Sequence, residues 1–490
     1  VQLIRFYKEP NINPRYKAYP YQYQAVKSVC DLEYAAIFHE QGLGKSKIAI
    51  DIMLYWLEKK YIDTVLFVVK KSLIHNWQKE LEIHSFVKPR IISQNRRLNY
   101  VVFNSPSRLL LCHYESIKTE KERFRLFLKT RTVAVILDES TKIKNPNSEI
   151  TKVLFELAFL FKKRIIMTGL PVANRPFDIW AQIYFLDQGK SLGNNFKEFK
   201  SKTDFNKDLS VSIHERKQLQ NYLAEIFKKI SSFSVRETKQ SGIIKLPDKV
   251  FQNIVTSWEP KQLDLYRQVR DELKAIVIKE GLPKEDDAEV VLKRLLRLVQ
   301  IASNPKLVDE GYKVDPGKYP YLYELVLNIC NKNEKCIIWT TFTENVDELS
   351  KFLKPFGTCK VHGKLNIEER NKSIDNFLHE DEKRILIATP GAAKEGLTLT
   401  VANHAIFFDR SFSLDDYSQA QDRIHRISQT RICYVYNLIM EDSVDQWVDA
   451  LLRAKDLAAK LTQGDVSREY FESQISYGFI DILKDVLNIR

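Results

Sequence analysis

No apolar run in this chain approaches the roughly eighteen residues that a bilayer-spanning helix needs. The longest, around Val153 to Phe161, reads instead as a core helix. No signal-peptide layout opens the chain. Cysteine is sparse: Cys30, Cys112, Cys330, Cys336, Cys359 and Cys433 are scattered, with no Cys-x-x-Cys pair and no nearby His-x-x-x-His. They suggest neither a zinc site nor a disulfide framework, and a reducing interior fits them best. Fixed-period repeats and low-complexity tracts are missing too, and the composition has neither collagen-like nor disordered bias. These absences exclude membrane, fibrous and disulfide-stapled classes. They leave a globular protein expected in the cytoplasm of a bacterium or a viral host, or in the nucleus of a eukaryote, with no membrane partner. The first residue is Val1 rather than Met, which leaves a fragment or a trimmed chain open.

What is present is bulk and positive charge. With 490 residues, 44% of them apolar, the chain can bury large cores, and its length favours at least two domains. The formal charge of +13 suits a polyanion partner, although a basic surface alone would give the same count.

The stretch that organises the rest is His39-Glu-Gln-Gly-Leu-Gly-Lys-Ser-Lys-Ile-Ala-Ile50. It reads as a phosphate-cradling turn opening a helix, preceded by the short buried strand Tyr34 to Phe38. Gly42 and Gly44 let backbone N–H groups approach an anion, and a helix starting near Lys45 aims its positive dipole end at the same place. Lys45 would reach the β/γ-phosphates and Ser46 would hold Mg²⁺. The full phosphate-loop pattern asks for Gly where this chain has His39. Just upstream, the Pro-rich arm ends at Pro20-Tyr-Gln22 before a helix, and Gln22 offers an amide donor and acceptor suited to an adenine edge. A surface Gln at a helix start is the plainer alternative.

Short apolar strands then alternate with helices: Thr64 to Val69, Leu109 to Leu111, Val133 to Leu137 and Arg164 to Met167. This pattern argues a parallel sheet covered on both faces, with ligands outside the carboxyl ends of its strands. Phe196 to Lys239 and Lys261 to Ile301 read as helical. Between them Lys245-Leu-Pro-Asp-Lys249 is a plausible crossing point between lobes. A second alternating series runs through Cys336 to Trp339, Arg384 to Ala388, His404 to Asp409 and Cys433 to Tyr436, with no second phosphate loop. The end, from Ser443 to Arg490, reads as helical.

Three further clusters carry chemistry. Val135-Ile-Leu-Asp138-Glu139 is a strand ending in two carboxylates: Asp138 can hold Mg²⁺ through water, and Glu139 can orient or deprotonate the attacking water. Thr168-Gly-Leu-Pro171 ends another strand and could sense the γ-phosphate by bonding to the acidic loop, or be a simple turn with a Thr cap. Gln419, Arg423 and Arg426 recur at helical spacing, so one helix face is expected to present an amide and two guanidiniums. Guanidiniums on a γ-phosphate stabilise the spread charge of the transition state, worth about 10³ to 10⁵ in rate elsewhere. Together these parts describe a nucleoside triphosphatase.

In order and spacing the chain resembles the Swi/Snf-type branch of superfamily-two helicases, from Tyr21 to about Lys460. The residues that carry the likeness are Pro20-Tyr-Gln22, the HEQGLGKS loop, Ser72-Leu-Ile-His-Asn-Trp77, Asp138-Glu-Ser-Thr-Lys-Ile-Lys-Asn145 and Thr168-Gly-Leu-Pro-Val-Ala-Asn174. Arg236-Glu-Thr-Lys239 with Leu246-Pro247, Trp339-Thr-Thr-Phe342-Thr343, Gly396-Leu-Thr-Leu399 and Arg423 with Arg426 complete the set. The chain departs from the family at Thr141, Leu170, Ala393 and Lys394. These changes bear on coupling between hydrolysis and strand contact, since the phosphate ligands are all present.

The resemblance implies an α/β fold of two RecA-like parallel-sheet lobes in tandem, with helical protrusions and a C-terminal helical brace. The expected division is an arm over 1–20, lobe one over 21–245, lobe two over 246–442 and a helical segment over 443–490. It implies a DNA-stimulated ATPase that closes on ATP and Mg²⁺ and steps along duplex DNA, monomeric when isolated. Lys45, Asp138, Glu139, Gln419, Arg423 and Arg426 would be catalytic. Gln22, Gln41, Gly42, Leu43, Gly44, Ser46 and Gly396 would join Lys45 around the nucleotide. Lys71, Ser72, Thr343, Gly363 and Thr398 would track strand phosphates, without sequence preference and with strong salt dependence. A strand-separating helicase, on DNA or RNA, is the nearest rival. A catalytically dead nucleic-acid scaffold is the rival from another class. Small size and the lack of histone-reading modules point toward a bacterial or viral setting.

Overall fold

A computed structural model describes residues 9–172, 175–203, 213–241, 246–280, 288–393, 398–463 and 465–466. Two compact units emerge from the contact pattern. The first comprises Val1–Asp204, Leu219–Lys245 and Ala459–Val466; the second comprises Phe205–Gln218, Leu246–Ala458 and Ser467–Arg490.

The first unit is built on a seven-stranded sheet in the order β3-β4-β2-β5-β6-β1-β7. In chain order its elements are α1 Pro20–Val29, β1 Tyr34–Ile37, α2 Lys45–Glu58, β2 Thr64–Val69, α3 Ile74–His84 and β3 Arg90–Ile92. They continue with α4 Arg96–Asn104, β4 Leu109–His113, α5 Tyr114–Thr119, α6 Lys121–Thr130, β5 Val133–Asp138, α7 Glu149–Ala158 and β6 Lys163–Met167. The last are α8 Trp180–Asp187, α9 Phe196–Thr203, α10 Ile213–Ile230, which joins this unit from Leu219, and β7 Ser234–Val235. All described pairings are parallel. The sequence explains why: β2, β4 and β5 are mostly Val, Leu, Ile, Ala and Phe, with polar residues only at their ends, and are buried at every position, as a sheet covered on both faces requires. The helical reading of Phe196 to Lys239 is corrected at its end. There Ser234–Val235 pairs with Ala36–Ile37 and adds an edge strand to the sheet. Two residues are too few for any periodicity to reveal.

Lys163, at the start of β6, is buried, and its ammonium donates to the carbonyls of Cys30, Asp31 and Leu32 at 3.2, 3.0 and 2.8 Å. It thereby ties down the cap and the turn that follow α1, the helix that carries Gln22.

The second unit has a six-stranded sheet in the order β10-β11-β9-β12-β13-β8, again parallel throughout its described pairings. Its elements are β8 Lys249–Thr256, α11 Pro260–Glu280, α12 Ala288–Ser303, α13 Lys318–Asn331, β9 Cys336–Trp339, α14 Thr343–Phe352 and β10 Thr358–Val361. α15 Ile367–His379, β11 Ile385–Ala388, α16 Pro390–Ala393, β12 His404–Phe407, α17 Leu414–Gln421, β13 Cys433–Met440 and α18 Val444–Gln463 complete it, α18 up to Ala458. β8 has no apolar signature because it is an edge strand with most residues exposed, and the segment just before it read only as a crossing point. Lys318 is fully buried. It pairs with Asp445 at 2.6 Å and donates to the Phe408 carbonyl at 2.8 Å, tying α13 to α18 and to the segment after β12. Charge and hydrogen bonds are both satisfied, as an interior ammonium demands.

Candidate functional site

The loop between β1 and α2 has the backbone of an anion cradle. Gly42 and Gly44 lie at φ 86° and 70°, in the left-handed region that side chains disfavour. Gly44 is also the N-cap of α2, whose first turn holds no acid to compete for its positive end. Lys45 folds back, donating from Nζ to the carbonyls of His39 at 2.9 Å and Glu40 at 3.2 Å. Leu43 is buried. Its N–H bonds the Glu40 carbonyl within the turn, and its own carbonyl accepts the Tyr21 hydroxyl at 2.9 Å. Ser46 stands one residue into α2.

Gln22 touches this loop directly. Its Nε2 donates to Tyr21 Oη at 3.2 Å and to the Leu43 carbonyl at 3.4 Å, while its Oε1 accepts from Tyr19 N at 3.0 Å, capping α1. A Cβ at Gly44 would lie 2.3 Å from Gln22 Nε2. Gln22 is therefore buried rather than a surface residue at a helix start, and reading a base edge would exchange these bonds. His39, where the general pattern has Gly, is buried against Tyr21. Burial and the nearby Lys45 hold its imidazole down to about 4.

Asp138 ends β5 in the interior. Oδ1 accepts Glu139 N at 2.9 Å and Oδ2 accepts the indole N–H of Trp77 at 2.7 Å, while Tyr114 Oη donates to its carbonyl at 2.8 Å. Burial, with the charge of Glu139 beside it, pushes the Asp138 carboxyl up to about 6. Glu139 adopts φ 51°, a left-handed turn that swings its carboxylate toward the phosphate loop, where Oε1 accepts Gln41 Nε2 at 3.3 Å. Its Oε2 is buried with no hydrogen-bond donor among the described residues. A hydrated divalent cation or an attacking water would satisfy it.

The Thr168–Pro171 turn lies against the same loop: a Cβ on Gly169 would come within 2.8 Å of Gln41 Cγ and 3.3 Å of Lys45 Nζ. Its link to the acidic loop differs from the sequence expectation. The Thr168 hydroxyl accepts the Leu170 N–H of its own turn. The connection is instead made by fully buried Gln182 on α8. Gln182 accepts Ser140 Oγ at 2.7 Å and donates to the Pro171 carbonyl at 2.8 Å. Gln182 and Tyr114 gave no signal in the sequence, and Trp77 signalled only through the family motif.

In the second unit the expected single helical face is corrected. α17 ends at Gln421, so Gln419 lies on the helix while Arg423 and Arg426 follow in turns. Tertiary partners take the carbonyls a longer helix would have used: Leu399 N bonds Arg423 O at 3.0 Å, and Gln429 Nε2 bonds Ile424 O at 3.0 Å. Gln419 is buried and donates to Asp415. Arg423 is buried; Arg426 donates from Nη1 to Thr398 Oγ1 at 2.8 Å. Gly396 lies outside the described residues.

Among the candidate phosphate contacts, Lys71 and Ser72 form an exposed 3-10 turn after β2. Thr343 is the first residue of α14, directly after a loop fixed by Asp409. That carboxylate accepts Thr340 Oγ1 at 2.6 Å, Thr341 N at 2.6 Å and Ser303 Oγ at 2.7 Å. Gly363 follows β10, its carbonyl accepting Arg370 Nη2 at 3.0 Å. No helix among the described residues is long and apolar enough to cross a membrane.

Residues 21–307 match the family model described as an SNF2-related domain, and residues 317–428 match a helicase conserved C-terminal domain. The chain is 27% identical to an uncharacterized ATP-dependent helicase of Mycoplasma genitalium, covering 90% of this chain and 42% of that protein. It is 23% identical to an ISWI chromatin-remodeling complex ATPase of Saccharomyces cerevisiae, covering 84% and 37%. It thus spans less than half the length of these relatives. A SWI2/SNF2 ATPase core of Sulfolobus solfataricus, solved in complex with dsDNA, is 24% identical. That alignment covers 97% of this chain and all of that one, at a TM-score of 0.43.

Proposed function

The chain belongs to the SNF2 family, and on that footing we propose that it is an ATP hydrolase driven by nucleic acid, translocating on double-stranded DNA. One observation carries the nucleotide half of the reading. Gln22, the Gly42–Lys45 loop, Glu139 and the Gly169 turn sit around one point of the first unit, joined by direct contacts.

The phosphate chain of ATP is cradled by the loop backbone, and Lys45 Nζ exchanges the His39 and Glu40 carbonyls for phosphate oxygens. The Ser46 hydroxyl and Asp138 would hold Mg²⁺, which would supply neutralising charge beside the phosphates. Glu139, with one oxygen on Gln41 and the other buried and open, orients the attacking water and takes its proton. Arg423 and Arg426 would supply the positive charge that the γ-phosphoryl transition state needs, and Gln419, which donates to Asp415, is the third polar residue of that segment. Lys71, Ser72, Thr343, Gly363 and Thr398 grip strand phosphates, in line with a net charge of +13.

Strand separation is the rival outcome. A fork-unwinding assay alongside triplex displacement distinguishes them: displacement of a third strand without fork opening is expected, and robust unaided unwinding would overturn duplex translocation.

A further inference from the structure

Trp77 stands between two features that the proposed function uses separately. Its indole N–H is the donor to Asp138 Oδ2, at 2.7 Å. It sits on α3, which the Lys71–Leu73 turn, exposed at Lys71 and Ser72, enters without a break: Leu73 caps α3, and Ile74 closes the turn. Ser72 and Trp77 are five residues apart, about one and a half helical turns or roughly 7 Å along the axis. Trp77 and Leu81 are the fully buried residues of α3, with Leu73 at its start buried in the same core and Ile74 packed against it, so the indole is one of the points that fasten this helix to the sheet. Phe67 of β2 packs on the indole at 4.8 Å between ring centroids, and β2 neighbours β5, with Phe67 opposite Ile136. A phosphate pulling on the Lys71–Leu73 turn therefore has a rigid lever whose far end is a hydrogen bond to the acid at the tip of β5.

We propose that Trp77 is the positioning residue that transmits nucleic-acid contact at Lys71 and Ser72 to the carboxylate of Asp138. The idea rests on the nucleic-acid-dependent ATPase reading above. Docking a strand on the turn shifts α3, and the indole N–H resets which lone pairs of Asp138 face the nucleotide. The physical warrant is a single packed element reaching both sites. Without the N–H the acid keeps its bond to Glu139 N but loses the tie to the strand-contacting helix.

The test compares the full chain with Trp77→Phe, which keeps an aromatic ring and removes the donor, and with Phe67→Leu, which loosens the packing and keeps it. Steady-state ATP turnover is measured without nucleic acid and with saturating duplex DNA. Trp77→Phe is expected to lower the stimulated kcat about tenfold, the scale of one charge-assisted hydrogen bond, with KM for ATP and Kd for DNA within about twofold. Phe67→Leu should keep the stimulation ratio within about twofold. Should Trp77→Phe fail to fold, benzothienylalanine at position 77 keeps the indole shape without the N–H and is read the same way. An unchanged ratio in the donor-less protein overturns the relay, and so does an equal loss in Phe67→Leu, which would make the role one of packing. A parent protein that duplex DNA does not stimulate at all would remove the functional reading and this inference together.

Discussion

Arg426 Nη1 donates to the Thr398 hydroxyl at 2.8 Å, and the next N–H along, that of Leu399, donates to the Arg423 carbonyl at 3.0 Å. Both arginines assigned to the transition state are thus fastened to the segment that carries a candidate phosphate contact. A strand phosphate drawing on Thr398 would compete for the acceptor that orients Arg426. Thr398→Val keeps the shape and removes the acceptor. It should lower DNA-stimulated kcat by about tenfold, the rate equivalent of roughly 1.4 kcal/mol, while KM for ATP changes less than about twofold. Steady-state kinetics at several DNA concentrations would check this; a rise in KM at constant kcat would speak for a binding role instead.

Gly44 is doubly constrained, by φ 70° and by Gln22 Nε2 lying 2.3 Å from where a Cβ would stand. Gly44→Ala should weaken nucleotide binding by at least about tenfold, because either the cradle or Gln22 must move, at a cost of about 1 to 3 kcal/mol. Fluorescent nucleotide titration reads the affinity directly. On a Gln22→Ala background, where the space is open, Gly44→Ala should cost less further affinity than it does in the parent.

Gln182 predicts a stability effect. It is fully buried between the Ser140 hydroxyl and the Pro171 carbonyl, so Gln182→Ala leaves both without their partner. The expected loss is about 1 to 3 kcal/mol in chemical denaturation. Gln182→Glu should cost at least as much, since it replaces the amide donor to Pro171 with a buried acid.

The sheets were legible because parallel strands buried on both faces need continuous apolar runs, as residues 65–69 and 133–137 are. The phosphate loop and acid pair were legible because their chemistry fixes both residue type and spacing. Polar residues whose partners are distant in the chain were not. Gln182 lies 42 residues from Ser140, and nothing local distinguishes it from a helix-face residue; Trp77 lies 61 from Asp138, and the motif that marks it does not name that partner. The arginine segment misled for the same reason: helical spacing was right through Gln421, then partners at Leu399 and Gln429 captured its carbonyls.

His39 gives the chain an acid limb. Its imidazole titrates near 6.5 in the unfolded chain and at about 4 in the folded one, held neutral chiefly by burial. The unfolded state therefore takes up a proton first, and stability declines as pH falls below 6.5 toward 4. Between pH 8 and pH 5 this residue alone should remove about 2 kcal/mol. Urea melts at the two pH values check it, with His39→Gln expected to flatten that part of the slope.

The most direct test is ATP turnover with duplex DNA, single-stranded DNA and RNA side by side, for the parent chain and for Lys45→Ala. The account predicts that duplex DNA stimulates the parent most, and that Lys45→Ala abolishes turnover while still binding duplex. Equal rates with all three nucleic acids, or hydrolysis surviving the loss of Lys45, would contradict it.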